Sequence, residues 1–133
     1  MNTIRLLLVW LAGLAAALAQ EPPIIVAAVI SQTGAQAELA ADYAKGIELW
    51  RDELNASGGL LGRRVELRLV DDASKAARAS ALYAGLIKEE KADLLIGPYG
   101  SAATLVAAGE AERARRVMVN GAGQAPVIHG RAP

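Results

Sequence analysis

At 133 residues the chain is long enough for one domain of modest size, and it contains no cysteine, which excludes disulfides and any thiolate metal or redox site. Its formal net charge is zero, which argues against nucleic acid or an anionic membrane surface as the main partner. The hydrophobic content of 53% is alanine-heavy, and part of it sits in a single N-terminal segment.

In that segment Arg5 is the only charge before Glu21, residues 6–18 form an unbroken uncharged run, and Ala17-Leu18-Ala19 supplies small residues two apart. This is the pattern of a secretory signal peptide cleaved after Ala19. The run is shorter than the roughly 20 apolar residues that a permanent membrane helix needs. No cysteine stands at the cleavage site, so a lipid anchor is excluded. The expected division is a signal peptide over 1–19 and an exported, soluble chain over 20–133.

Ile24 to Ile30 (IIVAAVI) is a continuous apolar, β-branched run, as in a strand buried on both faces of a parallel sheet. Ser31-Gln32-Thr33-Gly34 breaks it. A helix is predicted over 36–56, with Leu39, Tyr43, Ile47, Trp50 and Leu54 on one apolar stripe and glycines 58 and 59 ending it. Tyr43 and Trp50 are read as helix core. In the next strand, 64–70, Val65, Leu67 and Leu69 alternate with charged residues, the period of a half-exposed strand nearer a sheet edge. Asp71-Asp72 is read as a structural turn.

Ser74 is the predicted cap of a helix running to about Glu90, whose apolar face is Ala79, Leu82, Tyr83, Leu86 and Ile87. Leu94 to Ile96 is a short apolar strand. Ser101 stands at an N-cap position before a helix over 102–115, whose C-terminal arginines suit the helix dipole. Val117 to Val119 is the fourth strand, and the tail from Pro126 has no periodic signal. Strands and helices thus alternate at a spacing that predicts parallel strands, right-handed crossovers and an α/β fold with helices on both faces of the sheet. Ligands of such sheets bind outside the carboxyl ends of the strands, at the switch in strand order.

Two loops there hold the candidate contacts. In Gly97-Pro98-Tyr99-Gly100-Ser101 the glycines admit close approach to the backbone, and Ser101 joins a hydroxyl to a helix N-terminus that attracts anions. The serine also reads simply as a cap. Gly121-Ala122-Gly123-Gln124 offers backbone groups and one amide, or a plain turn. Neither loop is a dinucleotide fingerprint. His129 has no partner in sequence, and no nucleophile, base and acid can be assembled.

Taken together, the residues resemble the start of a periplasmic substrate-binding protein of the branched-chain amino-acid (Leu/Ile/Val) type, the receptor component of an ABC importer. The likeness is carried by Ser31-Gln32-Thr33-Gly34, by Gly46-Ile47-Glu48-Leu49 through Asn55-Ala56-Ser57-Gly58-Gly59-Leu60-Leu61-Gly62, by Leu69-Val70-Asp71-Asp72, and by Ile96-Gly97-Pro98-Tyr99-Gly100-Ser101 with Met118-Val119-Asn120-Gly121-Ala122. It covers essentially all of 24–126. The resemblance implies the N-terminal lobe of a type I periplasmic binding protein. It also implies a periplasmic location, a small-molecule ligand (an amino acid or amide), a membrane permease as partner, and neither catalysis nor a cofactor.

By the same resemblance Ser101 aligns with the serine that holds the ligand's α-carboxylate or α-ammonium group. Ala122 aligns with a backbone contact, and Gln124 stands where the family has a threonine-type contact. Leu39 falls where some members carry an aromatic wall residue. The expected ligand-binding set is Ser101, Ala122, Gln124, Gly100 and Tyr99. A two-lobe receptor needs roughly twice a typical domain of 100–150 residues, so the expectation is a truncated, incomplete lobe. The competing expectations are an extracytoplasmic sensory domain and a flavodoxin- or Rossmann-like enzyme.

Overall fold

The computed structural model describes residues 21–130, so the expected signal peptide and its cleavage site lie outside the described residues. The elements are β1 (Ile24–Ile30), α1 (Ala37–Ala56), β2 (Val65–Asp71), a 3-10 turn (Ala76–Arg78), α2 (Ala79–Lys88), β3 (Leu94–Ile96), α3 (Ser101–Ala114), β4 (Met118–Val119) and α4 (Pro126–His129). The strands are all parallel, in the order β2-β1-β3-β4. This is the α/β sheet with helices on both faces that the alternation predicts.

The apolar run of β1 is central because only a strand flanked by others and covered on both faces can bury such a sequence. Every residue from Val26 to Ile30 is buried. Successive side chains face opposite layers. Ala28 and Ile30 pack with Ala40 and Ile47 of α1. Ala27 and Val29 pack with Ala79, Tyr83 and Leu86 of α2 and Ala103 and Ala107 of α3. β2 is an edge strand, as its alternation predicts, with Val65 buried and the rest half-buried. Leu82 and Ile87 pack against the α2–α3 core as expected.

Side chains set where each strand begins. The Asn55 amide donates to the Val65 carbonyl at 2.9 Å and its Oδ1 accepts the Val65 N–H at 2.8 Å, standing in for a strand neighbour. Between them the chain turns at Gly59 (φ +81°), where a Cβ would lie 2.0 Å from the Arg63 carbonyl oxygen. Asp93 does the same for β3: its Oδ2 accepts the Ile25 N–H at 2.9 Å.

β1 and β3 pair only from Val26–Leu94 to Ala28–Ile96. Beyond that register Tyr83 continues the ladder with its side chain. Its hydroxyl accepts the Val29 N–H at 3.3 Å and donates to the Ile96 carbonyl at 2.6 Å. The ring is fully buried, and burial pushes the phenol well above its ordinary value, so it stays a donor.

Three expectations are corrected. Ser74 does not cap a helix. It sits at φ +59°, its Oγ accepts the Gln36 N–H at 2.9 Å and donates to the Thr33 carbonyl at 2.8 Å, and the chain enters α2 through the 3-10 turn instead. Of the α1 stripe only Ile47 is buried, joined by Ala40 beside it, while Leu39 is 63% and Trp50 40% exposed. The reason is that α1 lies over β1, so its first turn passes the carboxyl edge of the sheet and its flank overhangs uncovered strands. The tail is not patternless throughout, since Pro126 opens a single helical turn at its first position.

Replacing Tyr83 with Phe orphans a buried N–H and a buried C=O while keeping the ring, so urea denaturation of Tyr83→Phe should show a loss of roughly 2–4 kcal/mol. A change below about 0.5 kcal/mol would mean that the hydroxyl bridge contributes nothing beyond packing.

Candidate functional site

The chain moves from β1 to β2 on one side, then back across β1 to β3 and β4 on the other. The carboxyl ends of β1 and β3 therefore flank the switch point, where the loops diverge and leave room for a ligand. The right-handed crossovers put α1 on one face and α2 and α3 on the other, as the packing clusters record.

Each cleft loop is held by buried or half-buried polar groups. From the α1 face the Tyr43 hydroxyl donates to the Gly97 carbonyl at 2.9 Å, next to the Ile96 carbonyl that Tyr83 takes from the other face. Burial raises the Tyr43 phenol above its ordinary value, partly offset by the Gly121 backbone, so the same oxygen also meets the loop after β4. A Cβ on Gly121 would stand 2.5 Å from that oxygen, which is why glycine is needed there. Thr104, fully buried, donates from Oγ1 to the Gly100 carbonyl at 2.8 Å. The Asn120 side chain brackets Gly123, donating to its carbonyl and accepting its N–H, each at 2.8 Å.

Ser101 is not the cap of α3. Gly100 occupies the cap position at φ +89°, and Ser101 is the first helical residue. Its Oγ accepts two backbone N–H groups, from Gln124 and Ala125, both at 3.1 Å. The serine thus staples the loop after β4 onto the start of α3. A serine oxygen has two acceptor positions and one proton. With both acceptor positions occupied, the proton is what remains to donate outward. The first helical hydrogen bond runs from the Thr104 N–H to the Gly100 carbonyl, so the Ser101, Ala102 and Ala103 N–H groups take no intrahelical partner.

The expected contact residues are therefore brought to one rim. Gly100 and Ser101 are half-buried at the start of α3, Gln124 is exposed beside the Ser101 hydroxyl, and Ala122 is half-buried between the two glycines of its loop. Tyr99 is half-buried, its ring centroid 6.4 Å from that of Tyr43 at a tilt of 55°. His129 is exposed on the α4 turn. Sequence reasoning missed Tyr43 and Thr104 as organisers of the rim, because each reads as helix filler, although Tyr43 binds the loop after β3 and Thr104 the segment leading into its own helix.

The aspartate pair closes the neighbouring loops. Asp71 accepts from the Thr33 hydroxyl at 2.6 Å, the Ala73 N–H at 2.8 Å, the Gln32 N–H at 2.9 Å and the Thr33 N–H at 3.2 Å. The Thr33 hydroxyl first, then the Ala73 N–H, lower its pKa from 3.8 to about 2. Among the described residues no group of three His, Cys, Asp or Glu side chains comes together to hold a metal.

Two concavities compete for a ligand. The larger, of about 540 Å³, lies between α1 and the strands β3 and β4, with Trp50, Ile47, Leu94, Val117 and Val119 in its walls. It is a bare face of the sheet, left open because α2 and α3 cross on the opposite side. Its lining is mostly apolar, with Asp42 and Tyr43 as its polar side chains, fewer than usually orient a ligand. The smaller, of about 220 Å³, lies at the carboxyl ends of the strands against the start of α3 and includes Tyr99, Gly100 and Ser101. The smaller one is where Ser101 and the start of α3 meet the cavity wall.

Comparison with known proteins identifies relatives of this sequence and fold. The sequence model of the periplasmic binding protein family matches residues 23–130. An amino acid binding protein of Pseudomonas aeruginosa is 32% identical over 75 residues, covering 56% of this chain and 20% of that protein. The substrate-binding protein LivJ of a branched-chain amino acid transporter from Streptococcus pneumoniae, solved in complex with isoleucine, superposes with a TM-score of 0.78 at 26% identity, over 82% of this chain and 31% of its own. A solute-binding protein of an ABC transporter from Rhodopseudomonas palustris, solved with 3,4-dihydroxybenzoic acid, gives 0.75 at 26% identity over 85% and 31%. The chain thus spans a fifth to about a third of the length of these relatives.

Two outcomes follow from this geometry. In Ser101→Ala the Gln124 and Ala125 amides lose their acceptor and should exchange with deuterium at least about tenfold faster, while the β1 amides stay unchanged; equal rates would remove the staple. Asp71 has a lowered folded pKa, so its contribution is fully present above the unfolded value of 3.8 and is lost as pH falls toward about 2. Acid titration of stability should therefore be shallower over that window in Asp71→Asn than in the unaltered protein.

Proposed function

The chain belongs to the periplasmic binding protein family, and from that premise we propose that it forms one wall of the ligand cleft of an ABC-importer solute receptor. The ligand is a small carboxylate, first of all an α-amino acid of the Leu/Ile/Val kind. The chain is exported after cleavage behind Ala19, works in the periplasm, hands its ligand to a membrane permease, and performs no chemistry.

The observation that carries this reading is Ser101. Its oxygen is already occupied by two backbone N–H groups, which leaves its proton free for a ligand acceptor, beside three N–H groups of a helix start. Donors aimed at one place from a helix N-terminus suit a carboxylate, which accepts charge-assisted hydrogen bonds. Gly100 allows close approach, Ala122 offers backbone groups, and Gln124 and Tyr99 flank the same rim. Support for the ligand class comes from the isoleucine and 3,4-dihydroxybenzoic acid found in two structural neighbours. The two ligands share a carboxylate and differ in the rest. An aromatic carboxylate is therefore the second reading, favoured by the apolar Leu39 exposed where the family resemblance places a wall residue.

Calorimetry against L-amino acids, their amides and small aliphatic and aromatic carboxylates tests the proposal. At least one carboxylate should bind, and Ser101→Ala should weaken it by about tenfold or more, the effect of removing one hydrogen bond to a charged group. Silence across the whole panel, or unchanged affinity in Ser101→Ala, would sink it.

A further inference from the structure

Of the chain's three asparagines, Asn2, Asn55 and Asn120, only Asn120 is followed by glycine. The nitrogen of the residue after an asparagine is the one placed to attack the asparagine side chain. Glycine adds no side chain to hinder that attack, so an Asn-Gly pair is especially prone to lose ammonia by ring closure. Asn120 is half-buried and Gly121 exposed, in the loop after β4.

Packing and hydrogen bonding tie this loop to both residues. A Cβ on Gly121 would stand 2.5 Å from the Tyr43 hydroxyl oxygen and 2.9 and 3.0 Å from two carbons of its ring. A larger residue would therefore displace a ring whose hydroxyl donates to the Gly97 carbonyl at 2.9 Å. Asn120 uses both halves of its amide on Gly123, with Nδ2 donating to the carbonyl and Oδ1 accepting the N–H. An ionised aspartate has no proton to donate, so it cannot replace the first of these bonds. Gly123 is buried, and a Cβ on it would meet Ile128 and Thr104 at 2.8 Å. The shape of the loop thus depends on a chemically labile pair.

We propose that Asn120 is a site of spontaneous deamidation, restrained in the folded chain by its bonds to Gly123, and that the modification opens the rim. The Gly121 nitrogen gives up its proton and bonds to Asn120 Cγ. The bond from Cγ to Nδ2 breaks, and Nδ2 leaves as ammonia with that proton. The cyclic imide left behind takes up one water and opens to aspartate or isoaspartate. Ring closure expels the nitrogen that donates to Gly123 and turns Cγ from planar to tetrahedral, so the bracket on Gly123 has to open first. Either product puts a carboxylate where the donor stood, facing the Gly123 carbonyl, and isoaspartate also lengthens the backbone by one carbon. The residues that follow, Gln124 and Ala125, are the ones Ser101 holds, so the staple to α3 loosens. None of these steps depends on the identity of the ligand.

Peptide mapping by mass spectrometry, with aspartate and isoaspartate measured at positions 55 and 120, follows the purified chain in mildly alkaline buffer, both folded and in guanidinium chloride. In the unfolded chain Asn120 should convert well ahead of Asn55. Folding should slow its conversion by at least about tenfold, the effect of two hydrogen bonds that have to break first. Asn120→Asp carries the aspartate product from the outset, and its Gln124 and Ala125 amides should exchange with deuterium at least about tenfold faster than in the unaltered chain, with the β1 amides unchanged. Equal conversion of Asn120 in the folded and unfolded chain, or conversion of Asn55 as fast as Asn120 in the unfolded chain, overturns the proposal. Unchanged exchange in Asn120→Asp overturns the opening of the rim. Should that variant unfold, exchange at Gln124 and Ala125 in the unaltered chain after partial conversion decides the same point.

Discussion

Two tyrosine hydroxyls hold consecutive carbonyls at the end of one short strand, and the rest of the cleft depends on them. Tyr83 takes the Ile96 carbonyl from the α2 face and Tyr43 takes the Gly97 carbonyl from the α1 face. β3 is three residues long and stops pairing with β1 at Ile96. Without further partners its end would fray, since a ladder that short has few hydrogen bonds to hold it. The tyrosines replace the missing ladder with side chains anchored in both helical layers. Tyr83 thereby bridges β1 and β3 beyond their last paired residues.

From that fixed point the second loop is set by reach. Tyr43 touches Gly121, which has no room for a side chain, and Ser101 binds the N–H groups of Gln124 and Ala125. Two loops separated by a helix are thereby joined across a few ångströms. Donors that are pre-aimed cost little ordering on binding, which is how a small polar site gains affinity. The large concavity over β3 and β4 shows the converse, for it has volume but a mostly apolar lining, with Asp42 and Tyr43 its polar side chains. Size and polar lining point to different places in this molecule.

Much of the fold is legible in the sequence because its signals are local and periodic. The apolar run of β1, the alternation of β2 and the stripe of α2 each report the number of buried faces, and the structure agrees with all three. The site is legible only in outline. Glycines and a serine at a predicted helix start mark the rim, yet Ser74 and Ser101 follow no capping grammar, because their partners stand 23 to 41 residues away. Tyr43 and Tyr83 read as apolar filler, since periodicity sees the ring and not the hydroxyl. The Asp71-Asp72 pair reads as a turn, yet Asp71 takes three of its four hydrogen bonds from the loop after β1, and Asp72 accepts from Ser31 of that loop. Trp50 reads as core because a helical stripe does not reveal how wide a sheet lies under it.

The central claim is that ligand is held at the stapled rim and not on the bare sheet face. Amide chemical-shift mapping, with an L-amino acid or small carboxylate titrated into the isotopically labelled chain, tests it most directly. The account predicts shifts concentrated at Gly100, Ser101, Ala102 and Ala103 and at Ala122, Gln124 and Ala125, with Trp50, Val117 and Val119 unmoved. Shifts centred on Trp50, Val117 and Val119 instead, with the rim silent, would contradict it.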